Sequence, residues 1–185
     1  ETVLQIAKSF ASELLRIIDV GTGSGCIALA LARELPRAQI DAVDISAAAL
    51  AIATANAARL ALAERISFRQ ADLLEGTAPA SLDFVVSNPP YVGLSEEDVV
   101  QLEVRKFEPR TAVFAGAIGM EIIDRLIPMS LNALKPGGWL VMEISGTIAA
   151  RVRSLLTGWK SVQLIKDLQG IERVVAAQKP DSPED

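Results

Sequence analysis

The sequence predicts an open α/β fold: a mostly parallel, seven-stranded sheet with helices on both faces. Three observations carry that expectation. Short apolar, β-branched runs alternate with longer Ala/Leu-rich segments. The runs are apolar throughout rather than at every second residue, as strands covered on both faces require. A glycine-rich turn joins the first run to the first long segment, and such sheets bind ligands at the carboxyl ends of their strands.

The elements follow in order. A helix opens the chain, then come a strand at 16–20, a helix at 26–35, a strand at 39–45, a helix at 47–63 and a strand at 66–69. A loop leads to a strand at 83–87, and a long connection leads to a helix at 120–134 and a strand at 139–144. A helix at 147–156 precedes two closing strands, 162–167 and 173–178, read as an antiparallel hairpin. No internal repeat is visible. One domain is expected over 1–179, with a polar tail at 180–185 that frays.

Composition narrows the chemistry. Half of the 185 residues are hydrophobic and the net charge is −5, which excludes intrinsic disorder. Cys26 is the one cysteine, so a disulfide scaffold is impossible. The absence of histidine removes Ser-His-Asp triads, Cys-His dyads and the usual zinc sites, and no metal site is expected. There is no run of Lys or Arg of the kind that phosphate contacts demand, so nucleic acid is disfavoured as a partner. The apolar stretch 42–63 is interrupted by Asp44, Asn56 and Arg59, and no membrane span or signal peptide is read. A free cysteine suits a reducing cytoplasm. The chain starts at Glu1 without a methionine, which reads as a fragment.

The turn after the first strand is Asp19-Val20-Gly21-Thr22-Gly23-Ser24-Gly25. Glycines let the backbone turn tightly and approach a ligand, and a helix N-terminus offers N–H groups to a carboxylate or phosphate. The dinucleotide fingerprint needs a glycine where Cys26 stands. The G-x-G-x-G spacing resembles instead the S-adenosylmethionine loop of Rossmann-like methyltransferases. Asp19 is read as accepting N–H groups of its own loop or contacting the methionine amino group. Asp44 ends the second strand, where an acid can accept both ribose hydroxyls of an adenosine. Ser46 is the better cap for the next helix, which leaves Asp44 free. Asp72 follows the third strand as acceptor for the adenine amino group, with Leu73 packing on the ring.

The fourth strand ends in Ser87-Asn88-Pro89-Pro90-Tyr91. Two prolines stop the ladder and stiffen the chain, and neither has an N–H. Carbonyl acceptors without neighbouring donors suit a substrate that is itself a donor. An amide or purine –NH2 group has a delocalised lone pair and is a poor nucleophile. If the Asn88 side-chain oxygen and the Pro89 carbonyl each accept one N–H, the nitrogen is aligned and its developing positive charge is favoured. Tyr91 supplies an aromatic surface for the planar group. Asn88, Pro89 and Tyr91 are therefore the expected catalytic residues, with Pro90 completing the substrate grip.

Nearly the whole chain resembles the catalytic domain of the HemK/PrmC-type release-factor glutamine methyltransferases. The matching residues are Glu1-Thr2, 19–25, Ala42-Val43-Asp44, Asp72, 86–92, Phe107-Glu108-Pro109, Ala112, Gly116, 134–138, Glu143-Ile144 and the Asp167, Gly170, Arg173 spacing. The resemblance implies an S-adenosylmethionine-dependent enzyme of translation termination. It would methylate the glutamine side chain in the Gly-Gly-Gln motif of a release factor and leave S-adenosylhomocysteine. It assigns the cofactor loop to Gly21, Thr22, Gly23, Ser24 and Gly25, and adenosyl contacts to Asp44, Leu73 and Asn88. The alternative is an N-methyltransferase of a nucleic-acid base, guanine-N2 or adenine-N6. A binding module with a vestigial pocket would show a spoiled loop or tetrapeptide, and both are intact. Three departures stand out: the family's N-terminal helical domain and the Arg-Pro before Glu1 are absent, and Ser145-Gly146 replaces a glycine after Ile144. The fragment is therefore expected to bind the cofactor but to methylate release factor poorly beside a longer form.

Lesser features read as structural. Glu96, Glu97 and Asp98 form a solvated helix start, and Glu108 either orients the closing loop or pairs with Arg105 or Arg110. Cys26 packs as a small hydrophobe, Trp139 and Trp159 fill core or edge, and Met120, Met129 and Met142 fill the core.

Overall fold

The computed structural model describes residues 1–10, 14–90 and 120–181. Helix α1 (Thr2–Ala7) is followed by β1 (Arg16–Val20), α2 (Cys26–Glu34), β2 (Gln39–Asp44), α3 (Ala47–Arg59) and β3 (Ile66–Gln70). A connection without an α-helix leads to β4 (Leu82–Ser87). From residue 120 onward come α4 (Glu121–Ala133), β5 (Leu134–Glu143), α5 (Ala149–Leu155), β6 (Lys160–Lys166) and β7 (Glu172–Gln178). Among the described residues no helix is long and apolar enough to cross a membrane.

The seven strands form one sheet of order β3-β2-β1-β4-β5-β7-β6. The pairs β1–β2, β1–β4, β2–β3 and β4–β5 are parallel, and β7 runs antiparallel to both β5 and β6. The expected fold class and the closing hairpin are both found. The chain reverses its direction of growth between β1 and β4, so the carboxyl ends of these two strands open a crevice.

Each face of the sheet has its own core. Val43, Val85, Leu140 and Met142 pack against Ile123 and Leu126 of α4 and Val152 of α5. Ile17, Ala42, Phe84, Val86 and Val141 pack against Val3 of α1, Ala28 and Leu31 of α2 and Ala57 of α3. Successive residues such as Val85 and Val86 point to opposite faces and both are buried, which explains the unbroken apolar runs. Met120, Met142 and Trp139 are buried, and Met129 and Trp159 pack on the core edge, as expected.

Three local readings are corrected. The helix predicted at 47–63 ends at Arg59. Ala61 turns into the left-handed region (φ 57°). Leu62 N–H bonds to Ala57 O at 2.8 Å and Ala61 N–H to Ala58 O at 3.1 Å, a Schellman stop without glycine. The strand predicted at 139–144 begins at Leu134, with Pro136-Gly137-Gly138 inside β5 as an irregularity: the ladder jumps from Leu82–Leu134 to Phe84–Trp139. A side chain at Gly138 would sit 3.0 Å from Lys135 O and 3.2 Å from Asp83 O, so the two strands close only over glycine. Cys26 is exposed, not packed, because it is the first residue of α2 and faces the loop, with its Sγ 3.2 Å from Ser24 Oγ.

Candidate active site

Register places three of the predicted residues, Asp44, Gly21 and Asn88, in one row. Val20 pairs with Val43 on one side and Ser87 on the other, and Asp44 pairs with Gln70. Asp44 therefore ends β2 level with Gly21, the first residue beyond β1, and Asn88 is the first beyond β4. At about 4.8 Å per strand, Asp44 and Asn88 stand roughly 10 Å apart across the crevice. The Ser87 hydroxyl donates to Val20 O at 2.8 Å, which ties the β4 tip to β1 immediately before both strands diverge.

The glycine loop is held by the sheet rather than left open to bind an anion. Gly21 and Thr22 donate their N–H groups to Val43 O (2.9 and 3.0 Å), and Gly25 donates to Thr22 O (2.9 Å). Gly23 N–H donates to Asp44 Oδ2 at 2.9 Å. These four amides are used within the protein, so the expected supply of N–H groups for a ligand is smaller than the sequence implied. Space remains instead. Gly21 and Gly23 have φ of 69° and 56°, and a Cβ on either would meet nothing within 4 Å. Gly25 (φ 86°) serves packing, since a Cβ there would lie 3.1 Å from Ala53 Cβ of α3.

Asp19 lies beneath this loop and is 1% exposed. Its Oδ2 accepts the Thr22 hydroxyl at 2.7 Å and the Ala28 N–H of α2 at 3.1 Å. Its Oδ1 is buried with no partner. Burial pushes the Asp19 carboxyl up to about 6, with nearby Asp44 adding to the rise against its two hydrogen bonds. A buried acceptor without a donor is costly and points to a missing cationic or N–H partner.

Ser46 caps α3 as expected, accepting Ala49 N–H at 3.2 Å. Asp44 is nonetheless not free: besides Gly23 it takes the Ser46 N–H on Oδ1 at 2.8 Å. Each oxygen keeps one lone pair, so the carboxylate is oriented and still able to accept. Asp72 Oδ2 is 2.7 Å from Arg125 Nη2 of α4. Leu73 has φ of 52° and packs partly against the core. Asn88 is exposed, Pro89 buried and Pro90 half-buried. Tyr91 lies outside the described residues, as do Val92, Glu96, Glu97, Asp98, Arg105, Phe107, Glu108, Pro109, Arg110, Ala112 and Gly116. Beside the β4 tip, a cleft of about 310 Å³ runs between Glu1 and Thr2 of the first turn, Cys26 and Ile27 of α2, and Ser87 and Glu143 of the strands.

Two residues of this end were not singled out in the sequence. Ile45, directly after Asp44, is 65% exposed, and its carbonyl takes the Gln70 side-chain N–H at 3.0 Å. An apolar residue directly after a strand-end acid was the available signal. Arg125 gave none, being 53 positions from Asp72. The Asp167, Gly170, Arg173 spacing proves to be the β6–β7 turn. Asp167 accepts the N–H groups of Gln169 (2.8 Å) and Ile171 (3.0 Å) and Arg173 Nε (3.2 Å). These bonds, that from Ile171 foremost, lower its carboxyl below the usual range.

The strand order, the glycine turn after β1 and the acid ending β2 together define a Rossmann-like methyltransferase fold. A solved structure titled as an S-adenosylmethionine-dependent O-methyltransferase from Thermotoga maritima superposes with a TM-score of 0.71 over 100% of this chain and 65% of its own, at 16% identity. The chain belongs to the methyltransferase small domain family, whose model matches residues 4–106. Curated relatives named release factor glutamine methyltransferase include one from Koribacter versatilis, 52% identical over 90% of this chain and 59% of its own length. Another, from Rhodopirellula baltica, is 46% identical over 88% of this chain and 56% of its own. The resemblance read in the sequence is thus found in relatives of that name, and nothing among them favours the nucleic-acid alternative. The chain spans about three fifths of the length of these relatives.

Proposed function

We propose that this chain is the catalytic domain of an S-adenosylmethionine-dependent methyltransferase acting on a glutamine side-chain amide of a peptide chain release factor, in the cytoplasm. The observation that carries the reading is the row Asp44, Gly21, Asn88 at the carboxyl edge, with the partnerless Asp19 Oδ1 beneath it. These residues fit the cofactor. The open Cα positions of Gly21 and Gly23 admit it, and Asp19 Oδ1 supplies the acceptor that its ammonium lacks. Asp44 keeps lone pairs for the ribose, and Asp72 and Leu73, just beyond β3, are assigned to the base, with Ile45 exposed beside Asp44. Thr22, Ser24 and Gly25 shape the turn.

When bound, the cofactor supplies an electrophilic methyl group on a sulfonium. The rest is done by the strand tip. The Asn88 side-chain oxygen and the Pro89 carbonyl accept the two amide N–H bonds, so the nitrogen is held in one orientation. Pro89 and Pro90, lacking N–H groups, leave those acceptors without competing donors. Positive charge growing on that nitrogen as it took the methyl group from sulfur would lie between two acceptor dipoles fixed beforehand. One N–H proton then leaves to solvent; a methylated amide nitrogen is acidic enough to need no histidine. Tyr91 is assigned the planar face of the amide.

The test is transfer of labelled methyl from cofactor to purified release factor, with tRNA and duplex DNA in parallel. Asn88→Ala should lower transfer to release factor at least 100-fold, the loss typical of a group stabilising transition-state charge, while cofactor affinity changes less than about fivefold. Label in nucleic acid alone, or wild-type turnover from Asn88→Ala, refutes the proposal.

A further inference from the structure

The β3–β4 connection (71–81) lies along α4 and is tied to it at both ends. Ala80 and Ser81 donate their N–H groups to the carbonyls of Asn132 and Ala133, at 2.9 Å each. At the other end Arg125 Nη2 meets Asp72 Oδ2 at 2.7 Å. This ion pair is solvated, with Arg125 49% and Asp72 33% exposed, so its contribution to stability is small. Its geometry matters more. Arg125 grips a single oxygen, and among the described residues no hydrogen bond to Asp72 Oδ1 is found. The carboxylate lies two residues beyond β3, next to Leu73, and by the Asp44–Gln70 register the exposed Ile45 stands level with the neighbouring Ala71. Its proximity to Asp72 raises the already high Arg125 pKa further, which keeps the guanidinium a permanent donor.

We infer that Arg125 is a positioning residue for base recognition: by holding Asp72 through one oxygen it presents the other to the 6-amino group of a bound purine nucleoside. The inference rests on the adenosylmethionine reading above and adds the residue of α4 that sets its base selectivity. A carboxylate is acceptor-only, so it pairs with a 6-amino purine and repels a 6-oxo purine. Without the guanidinium the Asp72 side chain samples other rotamers, and the preference for the amino form shrinks.

The experiment is calorimetric titration of the wild-type chain, Arg125→Ala and Arg125→Lys with S-adenosylhomocysteine and with S-inosylhomocysteine. Arg125→Ala is expected to weaken the adenosyl ligand by about three- to fivefold and the inosyl ligand by less than about twofold. Arg125→Lys should restore about half or more of the preference, because one ammonium donor can replace a single-oxygen contact. Thermal melts should show Arg125→Ala folded. An equal loss for both ligands, or no loss for either, overturns the inference and leaves the cofactor reading standing. Failure of wild type to bind either ligand overturns the cofactor reading itself.

Discussion

Asp19 is the residue at which folding leaves a buried acceptor unmet. Its carboxyl is buried with one oxygen unpaired and its pKa stands near 6 against 3.8 when solvated. An acid with a raised folded pKa holds its proton more tightly when folded. That stabilisation is fully present below pH 3.8 and is lost as the pH rises through 6. The difference corresponds to on the order of 3 kcal/mol. Asp19→Asn should therefore flatten the fall in chemical-denaturation stability between pH 4 and 7. In the wild-type chain, the thermal shift produced by cofactor should grow over the same interval, since an ionised Asp19 is the better acceptor for an ammonium. A wild-type pH profile no steeper than that of Asp19→Asn would show that the orphan oxygen has no energetic consequence. Asn88 is the complementary case: it is exposed, so its replacement is predicted to spare stability while methyl transfer falls.

At the scale of elements, the two ends of the sheet are built differently. At the carboxyl end the strand tips are held by backbone, hydroxyl and Asp44 contacts that leave space, such as Ser87 Oγ to Val20 O. The opposite end is closed by charge. Asp83, at the start of β4, accepts the Arg16 N–H of β1 at 2.7 Å and Lys135 Nζ of β5 at 2.8 Å, and so clamps three strands. Asp83→Ala leaves the Arg16 N–H without its acceptor and should cost about 1–3 kcal/mol in urea unfolding. Asp83→Asn keeps an acceptor for that N–H and should cost less. Equal losses would assign the clamp to Lys135 rather than to the backbone bond. Methyl transfer, normalised to folded protein, should be unchanged in both, because the clamp is a strand's length from Asn88. The β6–β7 turn obeys the same logic, with Asp167 taking three donors that the hairpin tip would otherwise leave to water.

For the whole molecule, two cores on one sheet make the central strands indispensable. Phe84 is fully buried in β4, and its ring meets Phe10 edge-on at 5.6 Å and 69°. Phe84→Ala should cost about 3–5 kcal/mol, a large share of the roughly 5–15 kcal/mol available to a domain. The expected fall in melting temperature is on the order of 10 °C for a chain of this length. A fall below about 3 °C would mean that the core refills the space. Such a variant should also release cofactor on warming before it unfolds globally, since β1 and β4 carry both the core and the crevice.

Strand and helix order, the Ser46 cap, the glycine loop and the Asn88-Pro89-Pro90 tip were all readable along the chain. Each depends on periodicity or on donors and acceptors within a few residues, and those are written in consecutive side chains. The left-handed Ala61 stop was not legible, because alanine carries no signal for that conformation. Nor was the use of Asp44 by the glycine loop, a bond across 21 positions, or the grip of Arg125 on Asp72 across 53. Cys26 was misread because its helical position indicates a face only once α2 is docked. The sequence by itself thus determined the kind of sheet and which donors and acceptors stand at its edge. Only the tertiary structure decided which oxygens remain free, since hydrogen bonds between distant residues exist only when strand order and register bring them within 3 Å.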